Sequence, residues 1–315
     1  MNKDPDAVDL QIRPIGVGEV LRRIVGKAIS WSLKEEIQIA GGPLQVSTGL
    51  QGGAEAAIHA MKTIYEEDSS DGIILVDAAN AFNQLNRYVA LHNIQYLCPP
   101  ISTVLINIYR LPARLFIVGG GEISSEEGTT QGCTLAMAFY GIGTKPVLVY
   151  LKENVPEVKQ AWLADDASGA GKLSPLKSWW KAISQEGIKY GYFVKPSKSW
   201  LILKDPTKLA EAEQLFQDTP INITTNGKRH LGAAIGTDTF KNEYINDKVD
   251  TWCGEIRTLA EIAKSQPHAA YAAFISREQH KFTYFLHTIA GISNNLKPLD
   301  DAVNNNKFLL FLAET

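Results

Sequence analysis

Apolar residues recur near helical spacing over residues 16–40, where VLRRIVGKAISWSLKEEI sets Val20, Ile24, Val25, Ile29 and Leu33 along one side. GGP at 41–43 ends that element. Ser47 or Thr48 is placed to cap a second helix, AEAAIHAMKTIYEE, which the acidic run EEDSSD closes. The pattern then changes: the apolar run Ile73 to Val76 in DGIILVDAAN predicts a buried strand ending on an acid, Asp77. A helix is expected from Ala81 to Leu97, stopped by Pro99 and Pro100. ISTVLINIYRL reads as a further helix, and RLFIVGGGEISS as a hairpin turning at the glycines 119–121.

Beyond the loop EEGTTQG, CTLAMAFYGIG is expected to be helical and WLADDASGAG to be strand, tight turn, strand. SPLKSWWKAISQEGIKYG predicts a helix with Ser174 as N-cap, Pro175 in its first turn and a glycine stop. SWLILK predicts a strand, KRHLGAAIG a strand or hairpin, and residues 240–315 a mostly helical region. No internal repeat or low-complexity segment interrupts the chain. The order of elements predicts an α+β fold, an antiparallel sheet backed by helices. Asp77 ends one strand, and Asp165 and Asp166 sit at a hairpin tip. If those strands are neighbours, three carboxylates converge at one end of one sheet.

Composition narrows the class. With 315 residues, 45% of them hydrophobic and 21% charged, the chain reads as an ordinary globular protein with room for two or three compact units. The longest apolar stretch, MAFYGIGTKPVLVYL, is broken by Lys145 and Pro146, so no membrane span and no membrane partner is expected. MNKDPDAVDL is acidic and polar, unlike a secretory signal or a transit peptide. Cys98, Cys133 and Cys253 show neither zinc spacing nor a disulfide framework. Free thiols and an intracellular location, nucleus or cytoplasm, are therefore expected. The net charge of −3 conceals two basic windows. Residues 172–204 hold seven lysines against Glu186, interleaved with Trp179, Trp180, Tyr190, Tyr192, Phe193 and Trp200. Residues 11–34 add Arg13, Arg22, Arg23, Lys27 and Lys34 against Glu19. Such stripes suit a groove that tracks a nucleic-acid backbone, or else a solvated lysine face over core aromatics.

Three like charges at one sheet end cost stability unless something cationic joins them. Hard divalent ions take oxygen ligands, and magnesium uses one or two carboxylates plus substrate phosphates. Two such ions roughly 3.5–4 Å apart serve phosphoryl or nucleotidyl transfer. An Asp-Asp pair alone reads as a solvated turn.

Six stretches, in order, change that reading. RPIGVGEVLRRIVGKAI (13–29), VDAANAF (76–82), EEGTTQGCTLA (126–136), LADD (163–166), GYFVKPSKS (191–199) and HLG (230–232) cover about 70% of the chain from first to last. Together they resemble the reverse transcriptase domain, an RNA-directed DNA polymerase, of retrotransposons without long terminal repeats and of group II introns. The resemblance implies a right-hand polymerase: fingers over 1–70 and 88–126, palm over 71–87 and 127–235, and a helical thumb over 236–315. Only 12 residues precede Arg13, so the fingers are expected to be truncated at the N-terminus. Endonuclease, ribonuclease H and zinc-knuckle segments are absent from this sequence.

Residue by residue, the resemblance assigns Asp77, Asp165 and Asp166 to two magnesium ions, with manganese as a possible substitute and with Asp77 and Asp165 as the bridging ligands. Phe82 matches an aromatic steric gate that leaves no room for a ribose 2′-OH; by spacing alone it reads as a core phenylalanine. Gln131 is assigned to the incoming nucleotide or template, with Gly132 permitting close backbone approach. Arg13 is assigned to the triphosphate, and Lys198 to the leaving pyrophosphate. Two departures are Asn83, where a second acid is common, and a lysine of KPSKS where asparagine is common. The implied partners are an RNA template, a DNA primer and deoxynucleoside triphosphates. The alternatives are a catalytically inactive retroelement remnant that only binds nucleic acid, and an RNA-dependent RNA polymerase, against which Phe82 speaks. Oligomeric state is not legible.

Overall fold

The computed structural model describes residue 16 and residues 18–305. The chain divides into two compact units, Met1–Leu201 with Thr207–Ile223, and Ile202–Pro206 with Thr224–Thr315.

The first unit opens with helices α1 (Val20–Ser32), α2 (Lys34–Gly41) and α3 (Gly53–Glu66), followed by strand β1 (Gly72–Val76). Next come α4 (Ala81–Gln84), α5 (Arg87–Leu97), α6 (Pro99–Tyr109) and the hairpin of β2 (Ala113–Phe116) and β3 (Glu122–Ser125). Helices α7 (Ala136–Gly143) and α8 (Lys145–Asn154) precede β4 (Lys159–Leu163), β5 (Asp166–Gly171) and α9 (Leu173–Glu186). Strand β6 (Trp200–Leu203), helix α10 (Leu209–Leu215) and β7 (Asn222–Thr224) follow, the chain crossing between units within β6 and β7. One five-stranded sheet has the order β4-β5-β1-β6-β7, with β1 antiparallel to β5 and β5 antiparallel to β4.

The mixed α+β architecture follows from which residues can be buried. Ile73 and Ile74 of β1 are fully buried on successive positions, so both faces of this central strand are covered. Helices α3 and α9 both pack on β1 and β5. Strand β5, DASGAG, has little intrinsic strand preference. Its small residues instead let a helix come close: a Cβ on Gly169 would lie 3.2 Å from the Trp179 ring. Trp162, Trp179, Phe139 and Tyr192 fill the interior, where truncating an aromatic costs about 3–5 kcal/mol.

Several local expectations are corrected. The helix over 16–40 is two, because Leu33 leaves helical dihedrals (φ −107°). The helix over 81–97 is also two: Asn86 caps α5, its Oδ1 accepting from Val89 N at 3.1 Å. Pro99 and Pro100 begin α6 rather than only ending α5, because proline suits the first helical turn. The second helix has Gly52, not Ser47 or Thr48, at its N-cap. Lys172, not Ser174, caps α9, and the Asp71 carboxylate accepts from Leu173 N at 3.1 Å. Burial alone would raise the Asp71 pKa, but Lys208, the Leu173 amide and Lys172 outweigh it and hold the carboxyl below its usual range.

The second unit carries the hairpin of β8 (Gly227–His230) and β9 (Ala233–Gly236). Helices α11 (Asp238–Ala263), α12 (Pro267–Ala273), α13 (Gln279–Thr288) and α14 (Ser293–Asn305) follow, with a π-helical turn at Phe274–Glu278. Thr237 caps α11, its Oγ1 accepting from Phe240 N. The hairpin turns at Leu231 (φ +48°) and Gly232 (φ +92°). Tyr284 Oη donates to Leu231 O at 2.5 Å, and Tyr244 Oη to Gly232 O at 2.8 Å. These two bonds tie the turn to the helices. The unit boundary at Thr224 therefore assigns this hairpin to the helical unit.

Candidate active site

Strand pairing brings the acidic motifs together. Val76 lies opposite Ala167 in the antiparallel β1–β5 register. Continued by one residue, that register sets Asp77 opposite Asp166. Leu163 faces Asp166 across the β4–β5 hairpin, leaving Ala164 and Asp165 as its two-residue turn. Ala164 has φ +57°, a left-handed conformation that costs a non-glycine residue about 1–2 kcal/mol. Asp77 and Asp165 are half-buried, and Asp166 is exposed.

The backbone around these acids is held by buried polar groups. Asp77 N donates to Ser199 Oγ at 3.1 Å, and Ser199 Oγ donates to Lys195 O at 3.0 Å. Lys195 N in turn donates to Asp77 O at 2.7 Å, so the GYFVKPSKS segment pairs directly with the end of β1. Tyr192 Oη donates to Asp165 O at 2.9 Å. Burial raises the Tyr192 pKa well above its ordinary value, and Tyr140, Asp165, Asp166 and Asp77 push in the same direction. The fields of all three carboxylates thus meet at one buried hydroxyl. Tyr140 responds alike, through burial and then Asp165 and Asp166.

Among the described residues, however, no three His, Cys, Asp or Glu side chains are gathered so as to hold a metal ion. The three carboxylates share a sheet end without forming a ready cage. As a donor set they are all hard oxygens, which fits magnesium bound through one or two carboxylates with phosphate oxygens completing the sphere.

Beside the hairpin tip lies a cavity of about 330 Å³ lined by Asn80, Ala81, Phe82, Gln131, Gly132, Cys133, Ala136, Met137 and Asp165. Four of the residues singled out from the sequence, Phe82, Gln131, Gly132 and Asp165, therefore face one space. The Phe82 ring stacks on buried Tyr140 at 4.6 Å and 19°, which fixes its plane. Phe82 O accepts from Thr129 N at 2.6 Å, tying this residue to the GTTQG loop. Gly128 makes that approach possible: it has φ +70°, and a Cβ there would lie 2.4 Å from Phe82 O. Gln131 O accepts from Gly16 N at 2.8 Å.

Asp77, Asp166 and Lys198 do not line this cavity; Lys198 is exposed in the 3₁₀ turn Pro196–Lys198. Arg13 lies outside the described residues. Of the two readings of the basic window over 172–204, its helical part follows the second, aromatics in the core rather than a stacking groove. Trp179, Trp180 and Tyr192 are core residues. Lys172 pairs with Asp71, Lys177 and Lys181 with Asp218, and Lys189 with Glu186. The amphipathic face of α9 spends its aromatics on the sheet.

Three positioning groups escaped the sequence reading. Arg87, almost fully buried, donates to the carbonyls of Ser125, Glu127 and Gly128 and so shapes the loop ahead of Gln131. Ser199 ties down Asp77, and Gln45 contacts Ala164. Nothing in a linear pattern distinguishes a buried arginine, serine or glutamine from an exposed one.

No protein-family model and no curated protein matches the chain. Among solved structures it is similar to apo telomerase from Candida tropicalis, at 12% identity over 93% of this chain and 58% of that one, with a TM-score of 0.48. It is also similar to C. tropicalis telomerase in complex with a TWJ fragment of telomeric RNA, at 13% identity over 93% and 56%, TM-score 0.48. The corresponding complex from Candida albicans gives 12% identity over 93% and 52%, TM-score 0.44. The chain spans about half the length of these telomerase chains.

Proposed function

We propose that this chain carries the palm of an RNA-directed DNA polymerase of retroelement type, which extends a primer 3′-OH with deoxynucleoside triphosphates on an RNA template. The observation that carries the proposal is the cavity in which Phe82, Gln131, Gly132 and Asp165 meet beside the aspartate hairpin. Residues some 80 positions apart share that space, and each is the type the chemistry needs. Asp77 and Asp165, with Asp166 adding local charge, would hold two magnesium ions. Bound there, the metal supplies activation of the attacking hydroxyl and stabilisation of the leaving oxygen.

The chain's own residues do the positioning. The Phe82 ring, backed by Tyr140, lines the cavity and would act there as the gate against a ribose 2′-OH. Gln131 presents an amide that can both donate and accept towards a base or sugar. Gly132, with φ +102° and no Cβ, lets the backbone approach the nucleotide. Ser199 and Tyr192 keep the backbones of Asp77 and Asp165 from drifting as charge builds in the site.

A second reading, a remnant that binds hybrid duplex without turnover, draws on the lack of a ready three-ligand cluster among the described residues. Oligo(dT)-primed extension on poly(rA) with magnesium or manganese separates the two. Asp165→Asn is expected to abolish extension while leaving the melting temperature within about 3 °C, since the substituted side chain is half-buried at a turn. Full activity in that variant sinks the polymerase assignment. Duplex binding without incorporation at any metal concentration establishes the remnant.

A further inference from the structure

We infer that Gln45 is a positioning residue for the aspartate hairpin, its side-chain amide pinning the left-handed Ala164 that presents Asp165. The inference rests on the polymerase reading for its consequence, but not for its geometry. Gln45 Oε1 accepts from Ala164 N at 2.8 Å, and Gln45 Nε2 donates to Ala164 O at 3.1 Å. One amide thus satisfies both backbone groups of a single residue 119 positions away, as a paired strand would. A donor and an acceptor are both required, and the glutamine amide offers them in a planar fork without a change of protonation.

The surroundings fix the amide in that orientation. Ser47 Oγ donates to the same Oε1 at 2.8 Å, so the oxygen end faces the Ala164 amide. The Gln45 backbone is itself anchored beside β4: Trp162 N donates to Leu44 O at 2.9 Å and Val46 N to Trp162 O at 2.8 Å. Thr48 Oγ1 donates to Gln45 O at 2.9 Å. Helix α7 closes over the stem, where a Cβ on Gly141 would lie 3.1 Å from Gln45 Cγ. Gln45 is 1% exposed and Ala164 5%, so water does not substitute for either bond. An isolated alanine has no reason to hold φ +57°; here the two bonds to Gln45 hold both of its backbone polar groups in the strained turn.

The role is positional, since Gln45 does not line the cavity. Its loss frees the turn to relax towards ordinary dihedrals and swings the Asp165 side chain away from Phe82 and Gln131.

Hydrogen exchange of individual amides in the full chain tests this, comparing Gln45→Leu and Gln45→Glu with the parent. Gln45→Leu is expected to speed exchange at Ala164 at least about tenfold while the Trp162 amide stays protected. Gln45→Glu keeps the acceptor for Ala164 N and is expected to fall between the parent and Gln45→Leu. A space-filling role demands the opposite rank, because a buried leucine is tolerated better than a buried carboxylate. That reversed rank, unchanged exchange at Ala164, or a uniform rise across the sheet overturns the clamp. In a chain that extends primers, Gln45→Leu is expected to lower kcat about tenfold with KM for the nucleotide within about twofold, as misplacement of a catalytic group does. An unaltered kcat overturns the positioning role. A parent chain that adds no nucleotide refutes the polymerase reading, while the exchange rates still decide the clamp.

Discussion

At the residue scale, the candidate site is a set of ordinary side chains whose meaning comes from neighbours. Phe82 is the sharpest case. Five residues after Asp77 it reads as gate or core, and the structure leaves it half-buried, stacked on Tyr140 and lining the cavity. Phe82→Ala is expected to raise the kcat/KM for ribonucleotides relative to deoxyribonucleotides at least about tenfold, because the excluded volume is removed while the metal-side groups remain. Steady-state incorporation of matched ribo- and deoxynucleotides checks this, and an unchanged ratio counts against the gate. The strand-ending acid, the Asp-Asp tip and the glutamine after GTT were all legible, since each sits in a local pattern that survives in one dimension. Gln45, Arg87 and Ser199 were not, because their importance lies in burial and in partners 38 to 122 residues distant.

At the element scale, periodicity located the long helices and the buried strand but blurred their joints. The stretch from Ala81 to Leu97 has continuous apolar spacing, yet Asn86 divides it by capping α5 and by donating from its backbone amide to Tyr190 O at 2.9 Å. The partner turn at Gly191 has φ +76°, and a Cβ there would lie 1.9 Å from Gln84 O. Gly191→Ala is therefore expected to destabilise the first unit by about 2 kcal/mol or more, combining left-handed strain with a backbone clash. Urea unfolding followed by tryptophan fluorescence measures it; a loss below about 0.5 kcal/mol contradicts the packing described. The α9 window shows why composition alone left two readings open. Its lysines and tryptophans alternate as a nucleic-acid groove would, but the helix turns Trp179 and Trp180 into the core and pairs Lys177 with Asp218.

At the scale of the whole molecule, a buried histidine makes the second unit sensitive to acid. In the second unit His230 is 5% exposed, and burial lowers its pKa from 6.5 to about 4. Between those values the unfolded chain binds a proton that the folded chain refuses, so stability is full above about pH 6.5 and falls as the pH drops towards about 4. The shift corresponds to about 3 kcal/mol at its limit. Acid unfolding of the second unit is expected to flatten over this window in His230→Gln, as read by denaturant midpoints at pH 7 and pH 5. An unchanged pH dependence in the variant would assign the acid sensitivity elsewhere.

The sequence by itself determined the α+β class, the identity of the strand-ending acid, the hairpin with its aspartate pair and the order of the motifs. Hydrophobic period, turn residues and short motifs are properties of neighbours along the chain, so they need no third dimension. The tertiary structure alone decided which of these meet. It set Phe82, Gln131, Gly132 and Asp165 around one cavity and left Lys198 exposed away from it. It also withdrew the aromatics of α9 into the core, and placed a buried glutamine against the strained alanine beside Asp165. Those outcomes depend on strand register and close packing, which join residues that no local pattern connects.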